Sequence, residues 1–456
     1  MTTEDLARMA VETCRQRGAA QADALVIDRR EKAVQVFNHE SPLVAESDTT
    51  RLTLRLFSRR RGAIVTGNGN TEKAIESMVG QAMGLIGRAS RDKFLGLADP
   101  GQLGAVSDDL GLYDEALAQI SLGEMRQIVA SIPPAIGARD AKAAALASSS
   151  FQVQVQEITV ATSEGYSRSY RTSAGTLSAN LVLGAATTDE GEEGGPEGKL
   201  TGGANLSHRA LGGLKVDRLA DLAVGRLSEK VGAQPAASGS FPVVFAPTAS
   251  RSLAGILLQF CSGPVAMYMQ GSYFGKLGET ICSRTISLVD DPLRVGGLKS
   301  QPFDHEGVVP RRKVIIRDGV FSEFLLNAYY ARVLDRESTG NAISNEDIRL
   351  GVAPSNAYID AGSAPPESII ADLRQGFYVT RLISRVMRVG ANFTQAATGR
   401  WIEGGKLSHA VRAAIISAPL KEMFKNVVAC GNDLNHEAAL AAPTMLVSKM
   451  SISPLT

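Results

Sequence analysis

The chain has 456 residues, of which 44% are apolar and 21% are charged, and its formal net charge is +1. This length suits two domains with separate cores, and the balanced charge gives no general attraction to nucleic acid or to a membrane surface. The sequence contains no run of about 18 uninterrupted apolar residues, so no membrane span is predicted.

The cysteines are scattered along the chain and form no CxxC pair; they are Cys14, Cys261, Cys282 and Cys430. This pattern is typical of reduced, mostly buried thiols in the cytosol. The first residues, Thr2 to Asp5, do not have the composition of a secretory signal. We therefore predict a cytoplasmic protein.

The first hundred residues alternate helix and strand patterns. Apolar positions spaced as on one helical face predict a helix that ends before Gly18 and another over 74–83. Alternating apolar residues predict three strands, at 24–27, 34–36 and 52–56. The arginines that follow the third strand are typical of a solvated hairpin tip, because no aromatic platform flanks them.

The next hundred residues continue this pattern. Residues 113–132 predict a helical region that Pro133 and Pro134 end. A strand over 153–160 requires a bulge at Glu157 to absorb a shift in its apolar phase. A further strand is predicted over 173–183.

An acidic, glycine-rich stretch at 189–198 cannot bury enough apolar surface to order itself alone. The helix predicted after it carries its apolar stripe from Val216 to Val231. The small residues of 233–239 then read as a linker, which places a domain boundary at residue 238.

The second half of the chain is rich in strand patterns. It opens with an apolar strand at 241–245 and a helix over 249–261. Asp318-Gly319 and the 403–405 turn each predict a hairpin, and an apolar stripe predicts a short helix over 420–428. The predicted fold is α+β with two domains, namely an N-terminal support domain (1–238) and a strand-rich C-terminal domain with a central helix (239–456).

Catalytic patterns are scarce. No HExxH or HExxxH occurs, and the histidines are His39, His208, His305, His409 and His436. His305 and His436 each precede a glutamate but have no second histidine one helical turn away, which favours a surface or capping role. Cys261 could be a nucleophile, but no basic neighbour is present to lower its pKa, which favours a buried structural thiol.

The remaining carboxylates come in two close groups, Asp290-Asp291 and Asp304/Glu306. They stand beside proline and glycine, where aspartate commonly closes a turn through its own side chain. A role in turns is therefore predicted for them.

Several motifs of the second half resemble the TldD/TldE family, which is also known as PmbA or modulator of DNA gyrase. The central motif is Ser-Gln-Pro-Phe-Asp-His-Glu-Gly at 300–307. The other matching segments are 241–247, 272–278, 288–292, 297–308, 317–320, 338–342, 399–405 and 431–433, with a looser match at 162–165.

This resemblance implies a heterodimeric zinc metallopeptidase that trims small or unfolded peptides. In it a TldD-type subunit carries HExxxH and a cysteine ligand, and a TldE-type subunit lacks them. The matching window here, 252–263, contains no histidine and no carboxylate, and Ile256, Leu257 and Cys261 stand near the places of the motif. The resemblance therefore implies the metal-free, TldE/PmbA-type subunit, with no catalytic or metal-binding residue of its own and zinc in a TldD-like partner.

The peptide cleft is expected near the family motifs. The candidate lining residues are Tyr273, Phe303, Asp304, His305, Glu306, Ser338, Thr339 and Asn341. Many short strands with edges to cover also favour a dimer, with the TldD-like subunit or with a second copy when alone. A stand-alone homodimeric peptide-binding protein and an independent hydrolase that uses Cys261 or an unusual metal site remain alternatives.

Overall fold

The computed structural model describes residues 1–37, 41–140, 146–183, 200–268, 276–383, 387–389 and 392–455. His39, Tyr273 and the acidic stretch 189–198 lie outside these residues. The described elements form two regions of mixed helix and strand, the second rich in strands, which confirms the α+β prediction.

The N-terminal domain is a six-stranded antiparallel sheet with helices on one face. Its helices are α1 (Thr3–Gln16), α2 (Glu72–Ile86), α3 (Glu115–Ala118), α4 (Leu122–Gly137) and α5 (Val216–Ser228). Its strands are β1 (Gln21–Phe37), β2 (Leu43–Ser58), β3 (Arg61–Gly67), β4 (Leu146–Thr162), β5 (Ser167–Leu183) and β6 (Leu200–His208). The strand order is β3-β2-β1-β4-β5-β6, so β3 and β6 are the edges.

The opposite face of this sheet is covered at one end by the C-terminal domain. Leu25 of β1 and Ile158 and Val160 of β4 pack there against Phe303. The bulge predicted at Glu157 is absent, because β1 and β4 pair without a register shift over this region. The apolar side chains of β4 switch from one face of the sheet to the other. One part of the strand is buried against the helices, and the other part is buried against the second domain.

A helix can extend beyond its predicted end where the burial of its side chains outweighs the helix-breaking tendency of proline. α4 continues through Pro133 and Pro134, which were predicted to end it. Ile132 and Ile136 lie on its inner face and are 0% and 1% exposed. The same face buries Met125 and Val129. Burial of these four side chains contributes about 1.5–3 kcal/mol each, which offsets the cost of about 3 kcal/mol for each of the two prolines.

Three smaller predictions were also wrong. The segments 24–27 and 34–36 are one continuous strand, β1, because a long partner strand pairs on each side of it. Val231 lies beyond the end of α5 and is 54% exposed, so it belongs to no apolar stripe. Residues 427–428 belong to a strand and not to the short helix before them.

The C-terminal domain contains many short elements. Its helices are α6 (Pro247–Phe260), α7 (Gly263–Tyr268), α8 (Ala328–Val333), α9 (Pro366–Ala371) and α10 (Leu420–Lys425). The strands of its larger sheet are β7 (Gly239–Phe245), β14 (Gln375–Leu382), β15 (Met387–Val389), β16 (Asn392–Glu403), β17 (Lys406–Pro419), β18 (Val427–Cys430) and β20 (Met445–Pro454). The remaining strands are β8 (Leu288–Asp290), β9 (Lys313–Arg317), β10 (Val320–Phe321), β11 (Ala342–Ile343), β12 (Gly351–Val352), β13 (Ala357–Ile359) and β19 (Leu440–Ala441).

Five strands of the larger sheet close into a ring. β14 pairs with β7, β7 with β20, β20 with β17, β17 with β16, and β16 again with β14. In a closed ring, the backbone groups along both edges of every strand are paired with a neighbouring strand. These five strands therefore leave no edge for a partner to cover, whereas β10 and β19 are the outer strands of the smaller sheet, so the predicted dimer stays a prediction.

Both predicted hairpins of this domain are confirmed. Asp318 and Gly319 join β9 to β10 with φ of 46° and 80°, and Gly404 and Gly405 join β16 to β17 with φ of 54° and 75°. Two successive positive φ values are the backbone of a type I′ turn, which matches the twist of the strands it joins.

The central helix α6 is buried in the core of the C-terminal domain, as predicted. Leu253, Ile256, Leu257 and Phe260 are each at most 4% exposed. They pack in one cluster with side chains of the ring strands and of the smaller sheet. None of the helices in the described ranges is long and apolar enough to cross a bilayer.

We expect the Leu257→Ala substitution to lower the free energy of unfolding by about 2–5 kcal/mol, because the removed side chain is fully buried and leaves a cavity. Leu85→Ala in α2 is the matched control, since Leu85 is 51% exposed and its loss should cost under about 0.5 kcal/mol. Denaturant unfolding of both variants measures the difference. Equal costs would mean that α6 is not a core helix.

Candidate functional site

The family motif at 303–307 lies at the junction of the two domains. Asp304 is buried, and its carboxylate accepts hydrogen bonds from the backbone N–H groups of Glu306 (2.9 Å), Val308 (3.0 Å) and Ala342 (2.9 Å). Burial and the neighbouring Glu306 raise the pKa of Asp304, and the three N–H donors oppose this. Asp304 closes a turn, which confirms its predicted role, and it also ties that turn to β11.

Glu306 links the domains through a buried ion cluster. Its Oε1 accepts hydrogen bonds of 3.2 Å from both terminal nitrogens of Arg55, and its Oε2 accepts one of 2.8 Å from the N–H of Ala328 at the start of α8. Arg55 also binds Asp23, which lies directly opposite it on β1. Burial alone would lower the pKa of Arg55, but Asp23 and Glu306 hold it above the usual range. The predicted turn role was wrong for Glu306.

The Ser338–Asn341 segment belongs to a second buried network. Asn341 donates 2.9 Å hydrogen bonds to Asp290 and to the carbonyl of Ala353. Asp290 forms a 3.0 Å ion pair with Lys313, and both side chains are fully buried. The predicted turn role was therefore wrong for Asp290 as well.

Ser338 and Thr339 are also engaged with the chain itself. The Thr339 hydroxyl donates to Asn341 Oδ1 at 2.7 Å and accepts from the N–H of Leu326 at 2.7 Å, and Ser338 contacts the Leu326 carbonyl at 3.4 Å. Their polar groups are therefore used to position neighbouring loops.

His305 and Phe303 lie beside clefts between the domains. His305 borders a cleft of about 340 Å³, and its Nδ1 accepts a 2.8 Å hydrogen bond from the N–H of Ser344. Burial and the charge of Lys299 lower the pKa of His305 to about 4, so its imidazole is neutral at pH 7. Phe303 borders a second cleft of about 570 Å³ and is 1% exposed.

Phe303 anchors the junction through aromatic contacts. Its ring meets those of Tyr166 and Tyr170 edge to face, with centroid distances of 6.0 Å and 5.0 Å. Such pairs add to the stability that burial of the ring provides. A bulky or charged residue at this position would therefore disturb the junction before it changed the cleft.

The structure thus brings seven of the eight predicted site residues into one region, and Tyr273 lies outside the described residues. Most of their polar groups form hydrogen bonds or ion pairs with other residues of this chain. Their assignment to a peptide cleft stays a prediction, supported at His305 and Phe303 by the clefts that they border.

Sequence reasoning missed the residues of the N-terminal domain that complete the junction. Arg209 donates to the carbonyls of Gly297 and Leu298 in the other domain. In return Arg332 of α8 donates to the carbonyls of Phe94, Gly96 and Leu97, at 2.6–2.9 Å. Arg55 stands in the polar phase of the alternating strand β2, which by itself indicates a solvent-facing residue, so no local signal identified it.

Helix α6 corresponds to the helix that the family resemblance expects to carry the metal. Its side chains do not fit a zinc ion. Ile256 and Leu257 are 4% and 0% exposed and pack among apolar side chains. Burial raises the pKa of the Cys261 thiol well above its usual range, and Cys282 adds to this, so the thiol is neither an activated nucleophile nor a ready ligand. In the part of the chain that the structure describes, no three His, Cys, Asp or Glu side chains are grouped to hold a metal.

Comparison with known proteins agrees with the fold and the motifs. The profile of the PmbA/TldA metallopeptidase C-terminal domain matches residues 238–454. The second half of the chain is therefore similar to the PmbA/TldD/TldE family. Among curated PmbA proteins, Metalloprotease PmbA of Escherichia coli O157:H7 is 26% identical to it over 407 residues, which cover 88% of this chain and 85% of that protein.

Solved structures of the PmbA/TldD/TldE family share the fold over almost the whole chain. TldE from Thermococcus kodakarensis superimposes with a TM-score of 0.84 at 19% identity and covers 99% of both chains. A Bacteroides thetaiotaomicron protein, described as a candidate modulator of DNA gyrase, gives a TM-score of 0.87 at 20% identity and also covers 99% of both chains.

We expect Arg55→Met to lower the free energy of unfolding by about 3–5 kcal/mol, because it leaves Asp23 and Glu306 buried without their cation. Arg51→Met on the same strand is the matched control. The Arg51–Glu346 ion pair spans 3.8 Å with side chains 59% and 90% exposed, so its loss should cost under about 1 kcal/mol. Similar losses in the two variants, measured by denaturant unfolding, would contradict the role assigned to Arg55.

The His305→Asn substitution should reduce the dependence of stability on pH. A histidine whose pKa is lowered in the folded state stabilises the fold above its unfolded pKa of about 6.5, and this contribution is lost as the pH falls toward 4. Asparagine keeps an acceptor for the Ser344 N–H but does not titrate, so a slope of up to about 1.4 kcal/mol per pH unit should disappear between pH 6.5 and 4. The exposed His208, replaced in the same way, serves as control, and an unchanged slope in His305→Asn would refute this assignment.

Proposed function

We propose that this chain is the metal-free subunit of a two-chain peptidase of the TldD/TldE type, which cleaves small or unfolded peptides in the cytoplasm. The observation that carries the proposal is the apolar packing of α6. Ile256 and Leu257 of this helix stand near the positions where the resemblance implies a metal ligand and a catalytic base. The zinc would then be held by a TldD-like partner that carries HExxxH.

The names of the relatives support a link to proteolysis. PmbA of E. coli is named a metalloprotease, and the matching profile is that of a metallopeptidase domain. A subunit that supplies no catalytic group can still contribute by forming one wall of the cleft and by holding the peptide in position. The junction built by Arg55, Arg209 and Arg332 favours such a role, because it joins the two domains by several buried or partly buried hydrogen bonds.

Co-expression with HExxxH-bearing homologues tests the proposal. We expect the purified chain alone to hold under about 0.1 zinc per chain and to cleave no peptide, and the mixed complex to hold one zinc and to cleave unfolded peptides. Light scattering should show a species larger than the 48.1 kDa chain. A complex whose mate carries Gln in place of the HExxxH glutamate is the control and should assemble without activity.

Two results would contradict this proposal. One is a stoichiometric zinc in the chain alone that is lost in His305→Asn or in His436→Asn, which would indicate an unusual metal site. The other is failure to associate with any HExxxH-bearing homologue while the chain binds peptides as a homodimer, which would indicate a stand-alone binding protein.

A further inference from the structure

A cleft of about 520 Å³ between the domains is lined by four cationic side chains, and we call it the cationic cleft. Arg226 and Lys230 come from the end of α5 and the turn after it, Arg251 from the first turns of α6, and Arg381 from β14. Among the described residues, one carboxylate, that of Glu229, also lines it. The cleft therefore has an excess of positive charge, although the whole chain is close to neutral.

Two of the cations are held in place by β6. Arg226 donates a 2.8 Å hydrogen bond to the carbonyl of Gly203, and Lys230 donates one to the carbonyl of Thr201. These residues are two positions apart, so their carbonyls point to the same side of the strand. The two side chains occupy acceptors that an added strand would need, so a ligand here is more readily bound through charge than by extending the sheet.

Arg251 and Arg381 have donors to offer a ligand. Among the described residues, neither guanidinium has a hydrogen bond or an ion pair. Glu437 lies near enough to act on Arg251, but its carboxylate forms a 3.3 Å ion pair with Arg218. Each guanidinium carries five N–H donors in a planar fork that matches a carboxylate.

The cations are close enough to repel one another. Burial lowers the pKa of Arg226, and Arg251 and Arg381 lower it further. Burial and Arg381 act on Lys230 in the same direction. An anion in the cleft would relieve this repulsion.

We propose that the cationic cleft binds an acidic segment of a peptide, with carboxylates facing Arg251 and Arg381. That the ligand is a peptide rests on the proposed function, whereas its negative charge follows from the cleft itself. The cleft is large enough for a few residues. None of the described side chains that line it is aromatic, so these residues offer no platform on which nucleic-acid bases could stack.

Fluorescence anisotropy with labelled hexapeptides tests the inference on the full chain and on its complex with the mate. A glutamate-rich peptide should bind at least tenfold more tightly than its glutamine-rich counterpart, and the difference should shrink as salt rises from about 50 to about 200 mM. Arg251→Gln and Arg381→Gln should each weaken binding of the acidic peptide about tenfold and leave the neutral peptide unaffected. Arg126→Gln, at an exposed position of α4 outside the cleft, is the matched control.

The outcomes separate this inference from the proposed function. Equal binding of the two peptides, or acidic binding that survives both substitutions in variants with unchanged melting temperature, would overturn the acidic-peptide site. An oligonucleotide of the same charge that binds more tightly would overturn it in favour of nucleic acid. If the variants still associate with the mate and cleave neutral peptides at the normal rate, the peptidase role stands whichever of these results is obtained.

Discussion

The buried guanidinium of Arg55 is the group on which the joining of the two domains depends. An isolated cation in this position would cost several kcal/mol in lost hydration. Asp23 offsets part of that cost from the neighbouring strand, and Glu306 offsets the rest from the other domain. Because one cation serves two carboxylates, any displacement of the domains would leave a buried charge without a partner, and this restricts them to one docked position.

The same junction uses most of the polar groups of the motif at 303–307. Asp304 and Glu306 are aimed at backbone N–H groups and at Arg55, and Phe303 is covered by two tyrosines. Acidic side chains with that many partners inside the chain have little capacity left for a substrate. Open space is found beside the motif, in the clefts where the two domains meet.

Helix α6 contributes to the core of the C-terminal domain and also borders a cleft. Its inner face is apolar at Leu253, Ile256 and Leu257, so it contributes to the core of the C-terminal domain. The start of the same helix, at Thr248 and Arg251, opens onto the cationic cleft. The helix therefore separates a dry core at one end from a charged, solvent-accessible surface at the other.

Much of the architecture was determined by local sequence patterns. The burial of α6 and the two hairpins of the second half were predicted because helical periodicity and turn residues act within a few positions of the chain. The resemblance to a known family also followed from short motifs, because each constrains a turn or a close packing contact. Where local rules failed, as at Pro133 and at the supposed bulge at Glu157, burial by distant elements had outweighed them.

Only the tertiary structure decided what the polar residues do. Arg55 and Glu306 are 251 positions apart, and no local pattern relates them. The cationic cleft likewise combines Lys230 with Arg381, which the chain brings together only after both domains have folded and docked. The physical reason is that charge and cavity shape depend on which surfaces meet, whereas helices and turns depend mainly on neighbours in the chain. The sequence by itself therefore determined the elements and the family resemblance of this protein, and the docking of its domains decided where a ligand could bind.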